Sequence, residues 1–271
     1  MHREHEEAHE KLFHDYFSIE PLYPENIFRR RFRMHKHVFL RIVEGLTAKD
    51  DEFFTQKPDA TGRIGATALQ KCIAAIRILA YGSSSDAVDE YLKIASSTAR
   101  ECLLHFSEGV VARFGHEYLR KANANDIERL LHEDERRGFP GIMGSIDCMH
   151  WNLKNCPRGW KGMYQRSPVF DDVLQGRAPE VNFLVNGTTY NMGYYLTDGI
   201  YPRWSTFIPA IKLPQTPKQR LATQHQEAGR KDVERAFGVL QARFAIIRKP
   251  ALAWDKDILW KIIMHHAQYD C

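Results

Sequence analysis

Residues 144–151 read Gly-Ser-Ile-Asp-Cys-Met-His-Trp, and the apolar pair Ile142 and Met143 precedes them. A short apolar run that ends on one acidic residue is typical of a buried strand that delivers a carboxylate to the edge of a sheet. That acid is Asp147. Residues 194–199, Tyr-Tyr-Leu-Thr-Asp-Gly, have the same form and end on Asp198. We therefore expect both carboxylates to converge at one edge of a sheet.

A third acid, Glu234, lies early in a long helix predicted over residues 218–248. The buried stripe of that helix has apolar residues spaced 4, 3 and 4 apart, at Val233, Phe237, Leu240 and Phe244. Glu234 adjoins this stripe, so we expect it to face a sheet while its basic neighbours stay near solvent, namely Arg230, Lys231 and Arg235. The alternative is a surface ion pair between Glu234 and Arg230, four residues earlier.

Three converging carboxylates suit divalent cations, because Mg²⁺ prefers oxygen ligands and keeps several waters. Two such ions can activate an attacking water and stabilise a leaving oxygen, which is the chemistry of phosphodiester cleavage. Each acid also has a local alternative: Asp198 before Gly199 as a turn residue, and Asp147 as a cap of a local turn. A further alternative is a zinc site with the ligands Cys148, His150, Cys156 and a fourth such as His265. The spacing of these ligands in the sequence matches no common zinc finger.

The composition indicates an ordinary globular protein whose mildly basic charge fits a nucleic-acid partner. The chain has 271 residues, of which 44% are apolar and 27% charged, and its net charge is +4. Its five cysteines are scattered, which implies no disulfide framework. The first residues lack the apolar core of a signal peptide, and no apolar run approaches the roughly 18 residues of a membrane span. We therefore expect no membrane as a partner.

Residues 1–24 read as a polar tail or frayed helix, and residues 25–138 as a helical region. Within it, helices are predicted over 27–46 and over 66–81, the second ended by Gly82. A short helix over 86–94, a tight turn, and a longer helix capped by Ser96 or Ser97 have helix-turn-helix spacing. Thr98 and Arg100 would then approach DNA, and an ordinary helical bundle is the alternative. Arg30 lies in a basic run that is either a phosphate-contacting surface or a solvated face.

The segment Gly138–Gly141 marks the predicted boundary to the part of the chain built on Asp147. In that part, Asn186-Gly187 between the apolar runs 181–185 and 188–196 predicts a β-hairpin. The predicted long helix then follows a loop, and residues 214–250 carry five more basic than acidic side chains. Lys231, Arg235 and Arg230 are therefore candidates to steer a DNA backbone.

From about Phe17 to Leu259 the chain resembles the PIF/Harbinger transposase-derived nucleases, especially the plant transposon protein branch. The motifs that carry the resemblance are long: residues 144–151, Lys-Asn-Cys-Pro at 154–157, Trp-Lys-Gly at 160–162, Phe-Asp-Asp at 170–172, Gln-Gly-Arg-Ala-Pro-Glu-Val-Asn at 175–182, Tyr-Asn-Met-Gly-Tyr-Tyr-Leu at 190–196, Asp-Gly-Ile-Tyr-Pro at 198–202, and residues 230–244.

The resemblance implies a mixed α+β or α/β chain: a helical N-terminal region with a helix-turn-helix-like segment, then an RNase H-like DDE nuclease core over residues 139–271. It implies an Asp-Asp-Glu triad at Asp147, Asp198 and Glu234 that holds Mg²⁺ or Mn²⁺. It also implies action on DNA in the nucleus, together with a separate Myb-like DNA-binding protein.

Two features depart from the family. Relatives carry a few dozen more residues between the positions of Gln165 and Arg166, where the strands that follow the first acidic strand would lie, and the tail after residue 261 differs from theirs. The core is therefore expected to be incomplete, with a gap beside its first strand. The alternative function is a catalytically inactive, domesticated or degenerate remnant that acts as a DNA- or protein-binding module.

Overall fold

The computed structural model describes residues 4–48, 52–58, 62–148, 151–152, 154, 180–251, 259 and 262, with only the backbone of Asp89. The predicted junction Gln165–Arg166 lies outside these residues, as do His150, Cys156 and His265 of the zinc alternative. The chain divides into two compact units. The first comprises Met1–Arg120, Trp151–Arg158 and Val239–Cys271, and the second comprises Lys121–His150 and Gly159–Gly238.

The described part of the first unit is helical. Its helices are α1 (His5–Tyr16), α2 (Glu25–Phe32), α3 (Lys36–Thr47), α4 (Ala68–Tyr81), α5 (Asp89–Leu92) and α6 (Ser96–Tyr118), with a 3₁₀ turn at Ser85–Val88. A short helix, Ala245–Arg248, also belongs to this unit and is named α9 in chain order. The core is aromatic and aliphatic, and its largest buried side chains include Tyr16, Phe28, Phe32, Phe39, Leu79 and Phe106.

The predicted N-terminal tail contains a packed helix. Ala8, Leu12 and Tyr16 recur every four residues of α1, and all three are buried. Leu12 and Tyr16 are each only 1% exposed. The hydrophobic stripe of this otherwise polar segment packs in the first unit, and the Tyr91 hydroxyl also donates a hydrogen bond to Asp15 of α1 at 2.8 Å.

The helix predicted over residues 27–46 is two helices, α2 and α3. The chain turns at Arg33, whose φ of 62° places it in the left-handed region. The turn brings the rings of Phe32 and Phe39 to a centroid distance of 5.4 Å. In a straight helix, seven residues would separate them by roughly 10 Å along the axis. Contact between these aromatic rings therefore accompanies the break.

Helix α4 ends at Gly82 with a φ of 54°, as predicted. The segment proposed as a helix-turn-helix consists of the 3₁₀ turn, the single turn of α5 and helix α6. The expected cap is wrong: α6 has Ala95 at its N-cap and no side-chain cap, because the Ser96 hydroxyl lies 2.7 Å from that of Ser85 instead. Arg100 is exposed on the first turns of α6.

The described part of the second unit contains α7 (Ala124–Arg136), five strands and most of α8 (Pro217–Arg243). The strands are β1 (Ile142–Ser145), β2 (Glu180–Val185), β3 (Thr188–Met192), β4 (Tyr194–Thr197) and β5 (Phe207–Pro209). Strands β1, β4 and β5 form a parallel sheet in the order β1-β4-β5, and β2 pairs with β3 in an antiparallel hairpin. Among the described residues, β4 is the only strand that pairs with β1.

The predicted hairpin is confirmed at Asn186-Gly187, where both residues have positive φ, 51° and 79°. The second predicted strand, however, is two strands that belong to different sheets. Gly193 separates β3 from β4, and a Cβ there would lie 2.6 Å from Cγ of Met143. Because only glycine fits at this close approach, the chain can leave the hairpin and enter the parallel sheet within one residue.

Candidate active site

A β-bulge sets the register of β1 against β4. Ile142 pairs with Tyr194 and Gly144 with Tyr195, so two steps along β1 match one step along β4. Gly144 has a φ of 137°, which side chains with a Cβ rarely adopt. Ser145 then pairs with Leu196, and the Ile146 amide continues the ladder to the Leu196 carbonyl at 2.8 Å.

The register places Asp147 level with Asp198. Counting on from the Ser145 and Leu196 pair, two residues further along each strand are Asp147 and Asp198. Without the bulge, Ile146 would lie opposite Asp198 and Asp147 would lie one residue beyond it. Both acids therefore follow the carboxyl ends of adjacent parallel strands, where open α/β sheets bind ligands.

Each of the two carboxylates accepts a hydrogen bond from a backbone amide close to it in the sequence. Oδ1 of Asp147 accepts the amide of Cys148 at 3.0 Å, and Oδ1 of Asp198 accepts the amide of Ile200 at 2.9 Å. The Asp198 contact is the turn interaction that the sequence offered as an alternative to a functional role. In each case one carboxylate oxygen is used locally, so the turn and a ligand role are compatible.

Helix α8 lies against the ends of all three parallel strands. Gln226 Nε2 donates to the carbonyls of Thr197 and Ile208 at 2.8 and 3.0 Å, and the Ser145 hydroxyl donates to the Gly229 carbonyl at 3.3 Å. A Cβ on Gly229 would lie 2.9 Å from Cδ1 of Leu196. This close contact positions the helix turn that follows Gly229 beside Asp147.

The expected orientation of this turn is wrong. Arg230 faces inward with its side chain 11% exposed, whereas the Glu234 side chain is 53% exposed. Nη2 of Arg230 lies 3.7 Å from Oδ1 of Asp147 and 3.8 Å from Oε1 of Glu234. Burial of an arginine is possible here because two carboxylates offset its charge. The i, i+4 pair that the sequence offered as an alternative is thus present, with Asp147 as its third member.

The Arg230 guanidinium is only partly satisfied. Its Nε atom is buried without a hydrogen-bond partner among the described residues, which costs about 1–3 kcal/mol for a typical buried donor. Its two ion-pair distances exceed the roughly 2.7–2.9 Å of charge-assisted hydrogen bonds. Charge, rather than a fixed hydrogen-bond geometry, holds this side chain between the acids.

Tyr201 completes the site and is the residue that sequence reasoning missed. Its hydroxyl is hydrogen-bonded to the Cys148 thiol. Burial, this hydrogen bond and the nearby charges of Cys148, Asp147 and Asp198 together raise the pKa of Tyr201 well above its ordinary value. The signal in the sequence is its place in the Asp-Gly-Ile-Tyr-Pro motif at 198–202, three residues after Asp198. The Tyr201 hydroxyl therefore stays protonated, with its proton held in the hydrogen bond to Cys148, and its oxygen can accept a hydrogen bond from a bound water.

The remaining basic candidates lie on exposed surface. Lys231 and Arg235 are exposed on α8, and Arg235 pairs with Asp232 at 3.6 Å. Arg30 is exposed on α2 of the other unit. Exposure is compatible with contacts to phosphates, and the DNA-binding role of these residues stays a prediction.

Two family profiles match the sequence. The profile described as plant transposon protein matches residues 116–167 and 163–267, which together span more than half of the chain. This chain belongs to the plant transposon protein family. A profile described as a domain of unknown function matches residues 9–47, which include α2. No curated protein and no solved structure matches the chain.

The plant transposon protein match covers the whole candidate site. Asp147 lies in the first matched segment, and Asp198, Tyr201, Arg230 and Glu234 lie in the second. The two segments overlap at residues 163–167, and the junction Gln165–Arg166 falls inside this overlap. An interrupted match is what a chain would give if it lacked part of the family pattern at this point.

The donor set of this plant transposon protein fits a divalent cation in part. Two aspartates share one level of the sheet edge, and carboxylate oxygens suit Mg²⁺ or Mn²⁺. Glu234 is the third carboxylate, but the Arg230 guanidinium lies between it and Asp147. Within the described residues, no three His, Cys, Asp or Glu side chains form a group that could hold a metal ion. Glu234 would therefore have to leave Arg230 to complete the ligand set.

The described part of the chain gives no sign of a membrane span. None of its helices combines the length and the apolarity that crossing a bilayer requires.

Proposed function

We propose that this plant transposon protein is a transposase-derived, metal-dependent DNA endonuclease of the Harbinger type, acting in the nucleus through an RNase H-like core. The observation that carries the proposal is the bulge-set register, which puts Asp147 level with Asp198 at the carboxyl edge of adjacent parallel strands. If each acid only stabilised its own local turn, the two acids would not need to be aligned across adjacent strands. A ligand bound by both acids would explain the alignment.

In this proposal Asp147, Asp198 and Glu234 hold Mg²⁺ or Mn²⁺. When bound, these ions supply the activation of a water or a DNA 3′-hydroxyl and the stabilisation of the leaving oxygen. Asp147 and Asp198 bind through the oxygens that their local amides leave available, and Glu234 adds its exposed carboxylate from α8. Tyr201 stays protonated beside these carboxylates and adds no negative charge to the site. Lys231 and Arg235 steer the phosphate backbone, with Arg30 and Arg100 as further contacts and a Myb-like protein as a partner in DNA binding.

Thermal unfolding in the presence of Mn²⁺ tests whether the carboxylates bind metal. A ligand that binds only the folded state adds roughly 2.7 kcal/mol at a hundredfold excess over Kd. The midpoint of the natural chain should rise with Mn²⁺, and that of the double variant Asp147→Asn plus Asp198→Asn should not. Asp232→Asn is a matched control, since Asp232 is an exposed acid on α8 that pairs only with Arg137 and Arg235 among the ion pairs of the described residues. An equal rise in all three chains would remove the proposed site.

A second candidate function is favoured by the position of Arg230 between two of the acids and by the interrupted family match. In this case the chain is a remnant that binds DNA or protein without cleaving. DNA binding would then weaken with salt, as phosphate contacts do. It would also persist unchanged in EDTA and in Asp147→Asn. Metal-dependent nicking by the purified chain would exclude this candidate.

A further inference from the structure

Arg230 occupies the position at which the carboxylates of the site would meet a cation. A single nitrogen, Nη2, is within 4 Å of both Asp147 and Glu234, at 3.7 and 3.8 Å. Neither contact is short enough to be a hydrogen bond, and Nε is buried without a partner among the described residues. A bidentate arginine would be held far more firmly than this. The guanidinium is therefore positioned by the charge of the acids and can be replaced by another cation.

A divalent cation would bind the same two carboxylates, Asp147 and Glu234. Two positive groups on one pair of carboxylates repel each other, and partial burial strengthens this repulsion because water screens the charges less. The Arg230 side chain is 11% exposed and that of Asp147 is 17% exposed. Simultaneous occupation by the guanidinium and a metal ion is thus unfavourable.

We propose that Arg230 is an internal counter-cation that competes with the divalent metal for Asp147 and Glu234. The proposal rests on the proposed function, since it concerns the same carboxylates. In the metal-free protein Arg230 compensates the charge of Asp147, which is largely buried. Metal binding displaces the guanidinium, which then becomes available to a phosphate of the DNA. Arg230 thereby sets the concentration of metal ion at which the site is occupied.

The competition predicts that removal of the arginine charge tightens metal binding. The full chain and its variants would be titrated with Mn²⁺, and free Mn²⁺ would be followed by electron paramagnetic resonance. Arg230→Gln should lower the Kd by about tenfold or more, the direction expected when one nearby positive charge is removed. Arg230→Lys keeps the charge and should stay within about threefold of the natural Kd. Arg220→Gln removes the same charge from an exposed position of the same helix and should leave the Kd unchanged.

The opposite result has a clear structural meaning. If Arg230 only positions Asp147 for the metal, Arg230→Gln will bind Mn²⁺ equally or more weakly, and this would overturn the competition. If Mn²⁺ binding depends on Asp147 and Asp198 but not on Arg230, the competition fails and the proposed function stands. If neither the natural chain nor Arg230→Gln binds Mn²⁺, both fail.

A second measurement uses the natural chain and does not depend on whether Arg230→Gln folds. Phenylglyoxal reacts with accessible guanidinium groups, and mass spectrometry of the digested protein gives the rate at each arginine. Displacement predicts that Mn²⁺ accelerates the modification of Arg230 at least about threefold over EDTA, whereas Arg220 reacts equally in both, since only Arg230 changes from a buried ion pair to solvent. Slower or unchanged modification of Arg230 at saturating Mn²⁺ would contradict the displacement.

Discussion

Replacing Gly229 by alanine tests how closely α8 must approach the sheet. The added Cβ would lie 2.9 Å from Cδ1 of Leu196 and 3.3 Å from the ring of Phe139. Leu196 is 1% exposed, so its methyl group has little room to move. Overpacking of this kind costs about 1–3 kcal/mol. Alanine in place of glycine inside a helix gains about 0.8–1.0 kcal/mol. The cost of overpacking exceeds the gain in helix propensity, so we expect a net destabilisation of about 1 kcal/mol.

Gly238 on the same helix provides the matched control. A Cβ at Gly238 would have no atom within 4 Å, and the residue is exposed. Gly238→Ala therefore has only the helix-propensity gain and should stabilise by about 1 kcal/mol. Replacing glycine by alanine in α8 is thus expected to lower the free energy of unfolding at Gly229 and to raise it at Gly238.

Thermal unfolding of the full chain by calorimetry measures the difference. For a unit of this size, 1 kcal/mol corresponds to roughly 4 °C in the midpoint, so the two variants should differ by roughly 8 °C. The second transition, if the units unfold separately, should not change. Equal midpoints for Gly229→Ala and Gly238→Ala would refute the close packing of α8 on β4, and with it the positions of Arg230 and Glu234.

Three further predictions test the site and the fold. Glu234→Gln should abolish metal-dependent nicking yet change stability by no more than about 0.5 kcal/mol, since the Glu234 side chain is 53% exposed; nicking by the folded variant would remove Glu234 from the triad. Leu12→Ala should cost about 2–5 kcal/mol in urea unfolding, because Leu12 is 1% exposed in α1; an unchanged midpoint would mean that α1 does not pack. Burial raises the pKa of Asp134, so the folded state binds this proton more tightly than the unfolded state does, and the resulting stability is lost as pH rises through the folded pKa. Asp134→Asn should therefore raise the unfolding midpoint at pH 7 and leave it nearly unchanged below pH 3.8, the ordinary pKa of the group, and an equal effect at both pH values would contradict the burial of its charge.

The strand ends and the long helix of the second unit were predictable from the sequence because each has a strong local pattern. An apolar run that ends on an acid predicted Asp147 and Asp198, and the Asn-Gly pair predicted the hairpin turn. The register between β1 and β4 was not predictable, since it depends on a bulge at Gly144 that forms only against a partner strand. Periodicity alone does not distinguish a glycine that makes a bulge from one that ends a strand.

Arg230 shows a different limit of sequence reasoning. It lies three residues before Val233, so the 4, 3, 4 spacing of the predicted apolar stripe continues through it, although only Leu240 and Phe244 of that stripe are buried. Its charge predicted a position near solvent. In the structure it faces inward, where it pairs with Asp147, which follows a strand distant in the sequence. Charge compensation by a residue 83 positions away cannot be read from a helical pattern. The turn at Arg33 is a similar case, since it accompanies aromatic contacts between two helices that a helical pattern does not reveal.

The bulge at Gly144 has a consequence for changes in chain length. Register between β1 and β4 is determined within four residues of β1, by one glycine and the ladder that follows it. The connection joins β4 at its first residue, at the opposite end of the strand from Asp198. It does not determine the register between β1 and β4. Residues can therefore be gained or lost between Asp147 and β2 without moving either aspartate out of alignment. The alignment of the two acids is protected against insertions and deletions in the connection, and it is vulnerable to a single point substitution at Gly144.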